Sequence, residues 1–285
     1  MNSEYTRLLE EIKSTTAKKT QQKAIYKACP YSVSKIVEAV KAPFDKEAVA
    51  QKTYDKNYNN PNSEYYHLTV EQILENWEEK ARLGKENGRI LDSWIERILT
   101  PDINESVLNE EFLNSLTDIQ KNKCNQFVEF YNANVVNKLE FVGRELMLFD
   151  TEKKINGRLD ALFSLKISDS DNCLILIDWK NSKKISISNS FEKMRGPLYR
   201  YDSCDLNAYT VQLYMYTYML RKKYKIKNNI IPLIVRIGES DYEIYSPQIP
   251  YSDSLVEDII LYASEQINNL QIMNSENNEK NIQSI

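Results

Sequence analysis

Residues 138–181 carry three apolar runs in close succession: KLEFVGRELMLFD, NGRLDALFSLKI and NCLILIDWKN. The charged and polar turns between them are too short to hold a crossover helix. Neighbouring runs must therefore pair antiparallel, as a meander. The third run, Leu174 to Ile177, is continuously apolar, the pattern of a strand covered on both faces. It ends in Asp178, Trp179 and Lys180. Residues i and i+2 of a strand share a face, so Asp178 and Lys180 point the same way at the end of a buried segment. A charged pair placed there is either a structural ion pair or a working site.

The meander is embedded among helical patterns. Tyr5, Leu8, Leu9 and Ile12 give residues 4–29 an amphipathic spacing, and a shorter apolar segment spans 33–40. Residues 55–65 (DKNYNNPNSEY) read as a loop. Two helices are expected at 70–83 and 87–99, ended by Pro101, and another at 119–133. After the meander come a polar, basic loop, a long apolar helix from Leu206, two strands (IIPLIVRIG and DYEIYSPQI) and a closing helix over 256–270. The tail from Asn274 is polar and reads as disordered. The expected architecture is α/β: a mixed central sheet flanked by helices, with an N-terminal helical region over 1–60, the main domain over 61–273 and the tail over 274–285.

The net charge of −4 excludes a polycation that coats nucleic acid indiscriminately, but charge is unevenly spread. Between Leu176 and Lys227 there are eleven Lys and Arg against four Asp and Glu, so a basic region sits on an otherwise acidic chain and can hold a polyanion. Cys29, Cys124, Cys173 and Cys204 form no C-x-x-C pair, which suits a reducing compartment and gives no zinc signature. No apolar run approaches membrane-spanning length and no secretory signal follows Met1, so an intracellular protein is expected, in the cytoplasm or nucleus of a host cell.

If the second and third strands are hairpin neighbours, Asp160 of GRLD and Asp178 of IDWK meet at one edge of the sheet. Two carboxylates that close repel unless a cation joins them. Oxygen-only ligands of this kind suit Mg²⁺ or Mn²⁺. Lys180 could then orient or deprotonate a water, or stabilise developing negative charge. That combination points to metal-assisted phosphodiester hydrolysis.

G-x-x-D at Gly157–Asp160, followed by an apolar strand ending in D-x-K at Asp178–Lys180, resembles the PD-(D/E)XK nuclease superfamily. Gln212 and Tyr216, at i,i+4 on one helix, resemble the Q-x-x-x-Y motif of its RecB-type and lambda-exonuclease-like branch, which includes virus- and phage-associated nucleases. The resemblance implies a restriction-endonuclease-like core. It implies Asp160, Asp178 and the Trp179 main-chain carbonyl as metal ligands, Lys180 as the residue handling water, and Gln212 and Tyr216 as supports of the site. Members often carry G-x-x-x-H-x-x-x-E before the sheet. Here that frame reads Gly88, Asp92, Glu96, with Asp in place of His. Glu96, or Glu145 of the first strand, is the expected additional metal ligand. The iron–sulfur variety is excluded, since no cysteine follows Gln212.

Lys183, Lys184, Lys193, Arg195 and Arg200 follow the D-x-K strand and are placed to grip phosphates, with Tyr199 and Tyr201 available to stack on bases. The implied substrate is DNA, single- or double-stranded. The implied activity is an exonuclease of replication, recombination or repair. A structure-specific endonuclease, an RNA nuclease of the same fold and a non-catalytic DNA-binding protein are the alternatives.

Overall fold

The computed structural model describes residues 26–100, 105–168, 171–226 and 229–283, with Glu10 and Ala24. Most of the helix expected at 4–29 lies outside these. The first described elements are β1 (Tyr31–Ser32), α1 (Val33–Val40) and α2 (Lys46–Asn57). Then α3 runs unbroken from Val70 to Leu99, where the sequence predicts two helices. Gly84 and Gly88 cost roughly 1 kcal/mol each relative to Ala but retain their backbone hydrogen bonds, and no proline interrupts the run. A capping box formed by Thr69 and Gln72 fixes its start.

α4 (Glu105–Asn114) and α5 (Asp118–Asn134) complete the first helical layer. The meander follows as expected: β2 (Glu140–Asp150), β3 (Ile155–Lys166) and β4 (Asn172–Lys180). The loop after β4 leads to α6 (Asp205–Tyr224), β5 (Ile230–Ile237), β6 (Tyr242–Tyr245) and α7 (Asp253–Gln283). α7 continues past Asn274, where the sequence predicts a disordered tail to begin. Among the described residues no helix is long and apolar enough to cross a membrane.

The sheet is mixed. β2–β3, β3–β4 and β5–β6 pair antiparallel, whereas β4–β5 and β1–β3 pair parallel. The parallel β4–β5 pair requires a crossover, and α6 supplies it. Helices cover both faces. α1, α6 and α7 bury Val33, Ile36, Leu213, Met219, Val256 and their neighbours against one side. α3 and α5 bury Leu91, Trp94, Ile95, Phe127 and Phe130 against the other.

One break in the pairing positions everything that follows. β2 occupies one edge of β3 along residues 155–164. On the opposite edge β1 pairs only with Ile155 and Asn156, and β4 only from Ala161 onward. Among the described residues, Gly157, Arg158, Leu159 and Asp160, the GRLD stretch, thus have no strand paired with them on that edge. The facing of β2 and β3 also reverses at this point. Leu146 and Leu159 belong to the α6/α7 side, while Ala161 packs on the α3/α5 side and Arg144 reaches α3. The residues at the reversal are Glu145, with φ of 50°, and Asp160. A non-glycine residue in the left-handed region is strained, and such strain gathers where backbone must re-aim a side chain.

Candidate active site

Asp160 and Asp178 come together where β3 and β4 part. Asp178 is fully buried, and its carboxylate is within hydrogen-bonding reach of Asp160. Asp160 Oδ2 accepts from the Trp179 backbone N–H at 2.9 Å, which closes the end of the hairpin. The Trp179 ring packs edge-on against Phe127 and Phe130 on the α5 side, leaving its main chain at the site.

Asp178 and Lys180 share the face toward α6. Lys180 Nζ stands 2.6 Å from Asp178 Oδ2. Gln212 bridges the pair: its Nε2 donates to Asp178 Oδ1 at 2.7 Å and its Oε1 accepts from Lys180 Nζ at 3.4 Å. The amide orientation follows from its partners, since an ammonium only donates and a carboxylate accepts. Gln212 Nε2 also lies 3.3 Å from the Tyr216 hydroxyl, one turn further along α6. Tyr216 is 4% exposed, and its ring fills the space over Gly157. A Cβ on Gly157 would stand 2.6 Å from both Tyr216 Cε1 and Val33 Cγ2. The glycine of GRLD is therefore what lets α1 and α6 close over β3.

Burial raises the Asp160 carboxyl well above the usual carboxylate range, and the charge of Asp178 raises it further. Asp178 is also pushed up by burial, although Lys180 opposes this. For Lys180, burial alone favours the neutral amine. Asp178 and Asp160 together outweigh it, and the ammonium is held more firmly than in water. Two neighbouring acids beside one cation leave the site short of positive charge.

A cleft of ≈ 280 Å³ opens onto this cluster, lined by Gly88, Asp92 and Ile95 of α3 and by Glu145, Asp160 and Lys180. Gly88 and Asp92 line the cleft. Glu96 does not turn inward, as was expected of it. It is exposed and pairs with Arg144 at 2.8 Å, and Arg144 also holds Asp92 at 2.7 Å. The inward face of α3 is apolar, with Leu91, Trp94 and Ile95, and Glu96 falls outside that stripe. Glu145 faces the cleft opposite Asp160 and is held by Arg158 at 3.0 Å.

Lys183, Lys184 and Arg195 are exposed, and among the described residues they form no ion pair. Lys193 is neutralised by Asp202 at 2.5 Å. Arg200 lies over the Tyr199 ring and donates to its hydroxyl.

Three neighbours escape the sequence reading. Tyr209 places its ring 4.2 Å from Lys180 Nζ. It precedes Gln212 by three residues on α6, a spacing that was legible. Asn181 donates to the Gly84 carbonyl at 2.9 Å, and the buried Lys123 donates to the Asn181 carbonyl at 2.6 Å. These two tie α3 and α5 to the end of β4, and no local pattern signals them.

No family model matches the chain, and no curated protein matches it. Among solved structures, it is similar to a "putative exonuclease" from Eubacterium rectale, at 11% identity and a TM-score of 0.38, over 83% of this chain and 85% of that one. It is also similar to the protein SSO0001, at 15% identity and a TM-score of 0.31, over 93% and 83%. At these scores neither likeness decides a chemistry.

Proposed function

We propose that the protein is a metal-dependent nuclease that hydrolyses phosphodiester bonds. The observation that carries this reading is the meeting of the buried Asp178 carboxylate, the half-buried Asp160 carboxylate and an ammonium, bridged by Gln212, at a gap in the sheet that opens to a cleft.

The donor set fits a hard divalent cation such as Mg²⁺ or Mn²⁺. Asp178 Oδ2 is buried, and its partner is the Lys180 ammonium at 2.6 Å, with no second donor to it among the described residues. Among the described residues, no three carboxylate, imidazole or thiolate groups converge, so the protein would contribute Asp160 and Asp178 as its acids. One or two carboxylates with several waters is the usual protein share in Mg²⁺ sites. The Trp179 carbonyl and Glu145 are the candidates for further ligands, Glu145 on release from Arg158. When bound, the cation would supply charge neutralisation at the phosphate and lower the pKa of a water.

The chain's own groups have separable roles in this reading. Lys180, protonated at neutral pH, is suited to stabilising charge that develops on the phosphate and to donating a proton. Gln212 fixes the Lys180–Asp178 geometry, and Tyr216 limits the rotation of Gln212. Lys183, Lys184 and Arg195 would contact backbone phosphates, which gives grip without sequence preference.

We assign DNA as the substrate and the ends of DNA as the point of attack. The Q-x-x-x-Y helix supports this, as does the lack, among the described elements, of a unit set apart to read base edges in the major groove. End-labelled linear DNA, single- and double-stranded, compared with the same DNA as a covalently closed circle in Mg²⁺ and in EDTA, tests both levels. Degradation of linear DNA alone, in Mg²⁺ alone, is expected. Equal degradation of circles would replace the exonuclease by an endonuclease. No degradation of any nucleic acid would remove the nuclease reading.

A further inference from the structure

Phe191 is 95% exposed, the most solvent-exposed of the large apolar side chains described. It does not sit on slack chain. Asn189 Oδ1 accepts from the backbone N–H groups of Phe191 and Glu192 at 3.0 and 3.2 Å. Asn189 in turn donates through its backbone to Asp202 and through its side chain to the Ser203 carbonyl. Ser203 N–H donates to the Glu192 carbonyl, and Met194 N–H to the Tyr201 carbonyl. Met194 and Leu198 are buried and anchor the loop below. The chain thus builds a pinned loop whose one effect is to hold an aromatic ring in water.

Beside the ring lies a groove of ≈ 450 Å³ lined by Ser186, Ser188, Ser190 and Ser203. Its one acid, Asp202, is neutralised by Lys193. The groove is tied to the candidate active site at both ends. Upstream, residues 181–185 lead directly from Lys180 and carry the exposed Lys183 and Lys184, which form no ion pair among the described residues. Downstream, Ser186 and Asp205 bind each other through three hydrogen bonds at the start of α6. Gln212 lies seven residues further on, about 10 Å at the helical rise of roughly 1.5 Å per residue.

We infer that Phe191 is a stacking platform for an unpaired base of a single nucleic-acid strand, held a few nucleotides from the scissile phosphate with its backbone along Lys183, Lys184 and the serine groove. The inference rests on the nuclease reading and adds a positioning residue that the D-x-K and Q-x-x-x-Y motifs do not contain. The occupant follows from the combination of a bare aromatic face, exposed cations and the serines of the groove, Ser188 and Ser190. Bases stack on aromatic rings irrespective of sequence, and phosphates take the cations. The backbone beneath the ring is already fixed, so stacking orders only the side chain.

The test uses the full chain in EDTA with fluorescent twenty-nucleotide oligo-dT, its RNA counterpart and a blunt duplex. Phe191→Ala should weaken single-strand binding roughly 5- to 150-fold, the range for loss of one stacked base. Phe191→Trp should restore it, and duplex binding should change little. A 2-aminopurine in the strand should be quenched by the wild type and by Phe191→Trp but not by Phe191→Ala. The DNA and RNA arms decide which strand is held. The side chain is solvent-exposed, so both variants should melt like the wild type. Single-strand affinity unchanged in Phe191→Ala, in a wild type that cleaves nucleic acid, overturns this inference alone. So does an effect of Phe191→Ala confined to self-association in sedimentation. A wild type that neither binds nor cleaves nucleic acid overturns the nuclease reading and this inference with it.

Discussion

Replacing Gly157 by Ala should damage both the fold and the site, and the structure sets the size of the effect. The added Cβ would stand 2.6 Å from Tyr216 Cε1 and from Val33 Cγ2, and 3.1 Å from Val33 Cβ. Ordinary carbon–carbon contacts lie near 3.5–4.0 Å, so each closest pair overlaps by about 1 Å. Neither neighbour has open space: Tyr216 is 4% exposed and Val33 2%. β3 itself is held by β2 through Leu148. Overpacking of this kind costs about 1–3 kcal/mol. Gly157 does not have positive φ, so the usual gain from a less flexible unfolded chain, about 0.4–1 kcal/mol, offsets part of this. The net loss should be about 1–2 kcal/mol by urea unfolding, with unchanged m-value. Displacing Tyr216 should also loosen Gln212, so activity per folded molecule should fall. Removing the second clash partner discriminates this from a general loss. Gly157→Ala combined with Val33→Ala should be less destabilised than the sum of the singles by about 1 kcal/mol. Additive effects, or a neutral Gly157→Ala, would refute the argument that this glycine exists for close approach.

Lys180→Ala should cut turnover about 10²–10⁴-fold while DNA affinity changes little; normal turnover at saturating DNA would reduce Lys180 to a phosphate contact. Gln212→Ala should cost more activity than Tyr216→Phe, because the amide bridges Asp178 and Lys180 whereas Phe keeps the ring over Gly157; equal activity per folded molecule in both would make α6 a packing element only. Asp160, whose folded-state carboxyl is raised by burial and by Asp178, binds its proton more tightly folded than unfolded. It therefore favours folding below the unfolded carboxylate range, and that contribution is lost as pH rises through its raised folded-state value. In EDTA, Asp160→Asn should melt higher than the wild type by about 0.5–2 kcal/mol at neutral pH, with the gap narrowing toward pH 4; a gap that widens as pH falls would contradict the assignment.

The meander was legible because three successive apolar runs joined by short polar turns leave few alternatives, and it alone put Asp160 near Asp178. Gln212 was legible through the i,i+4 spacing it shares with Tyr216, which resembles the Q-x-x-x-Y motif. The gap in the sheet was not legible, since it depends on β1 and β4 sharing one edge of β3 at different residues. Glu96 was misplaced for a related reason: its inward or outward direction depends on α3 being one straight helix whose apolar stripe excludes it. Arg144, the fifth residue of β2, decides that question from the far side. Asn181 and Lys123 could not be found, because a lysine that donates to a main-chain carbonyl leaves no trace in spacing.

The most direct test of the account is hydrolysis of end-labelled linear DNA by the wild type and by Asp178→Asn, each in Mg²⁺ and in EDTA. The substitution is nearly isosteric and keeps an acceptor for Gln212, so the variant should remain folded and bind DNA at least as well as the wild type. Cleavage by the wild type in Mg²⁺, abolished both by EDTA and by Asp178→Asn, is the predicted result. Undiminished cleavage in EDTA, or by the folded variant in Mg²⁺, would contradict the assignment of the Asp160–Asp178 pair as the metal-holding centre of a nuclease.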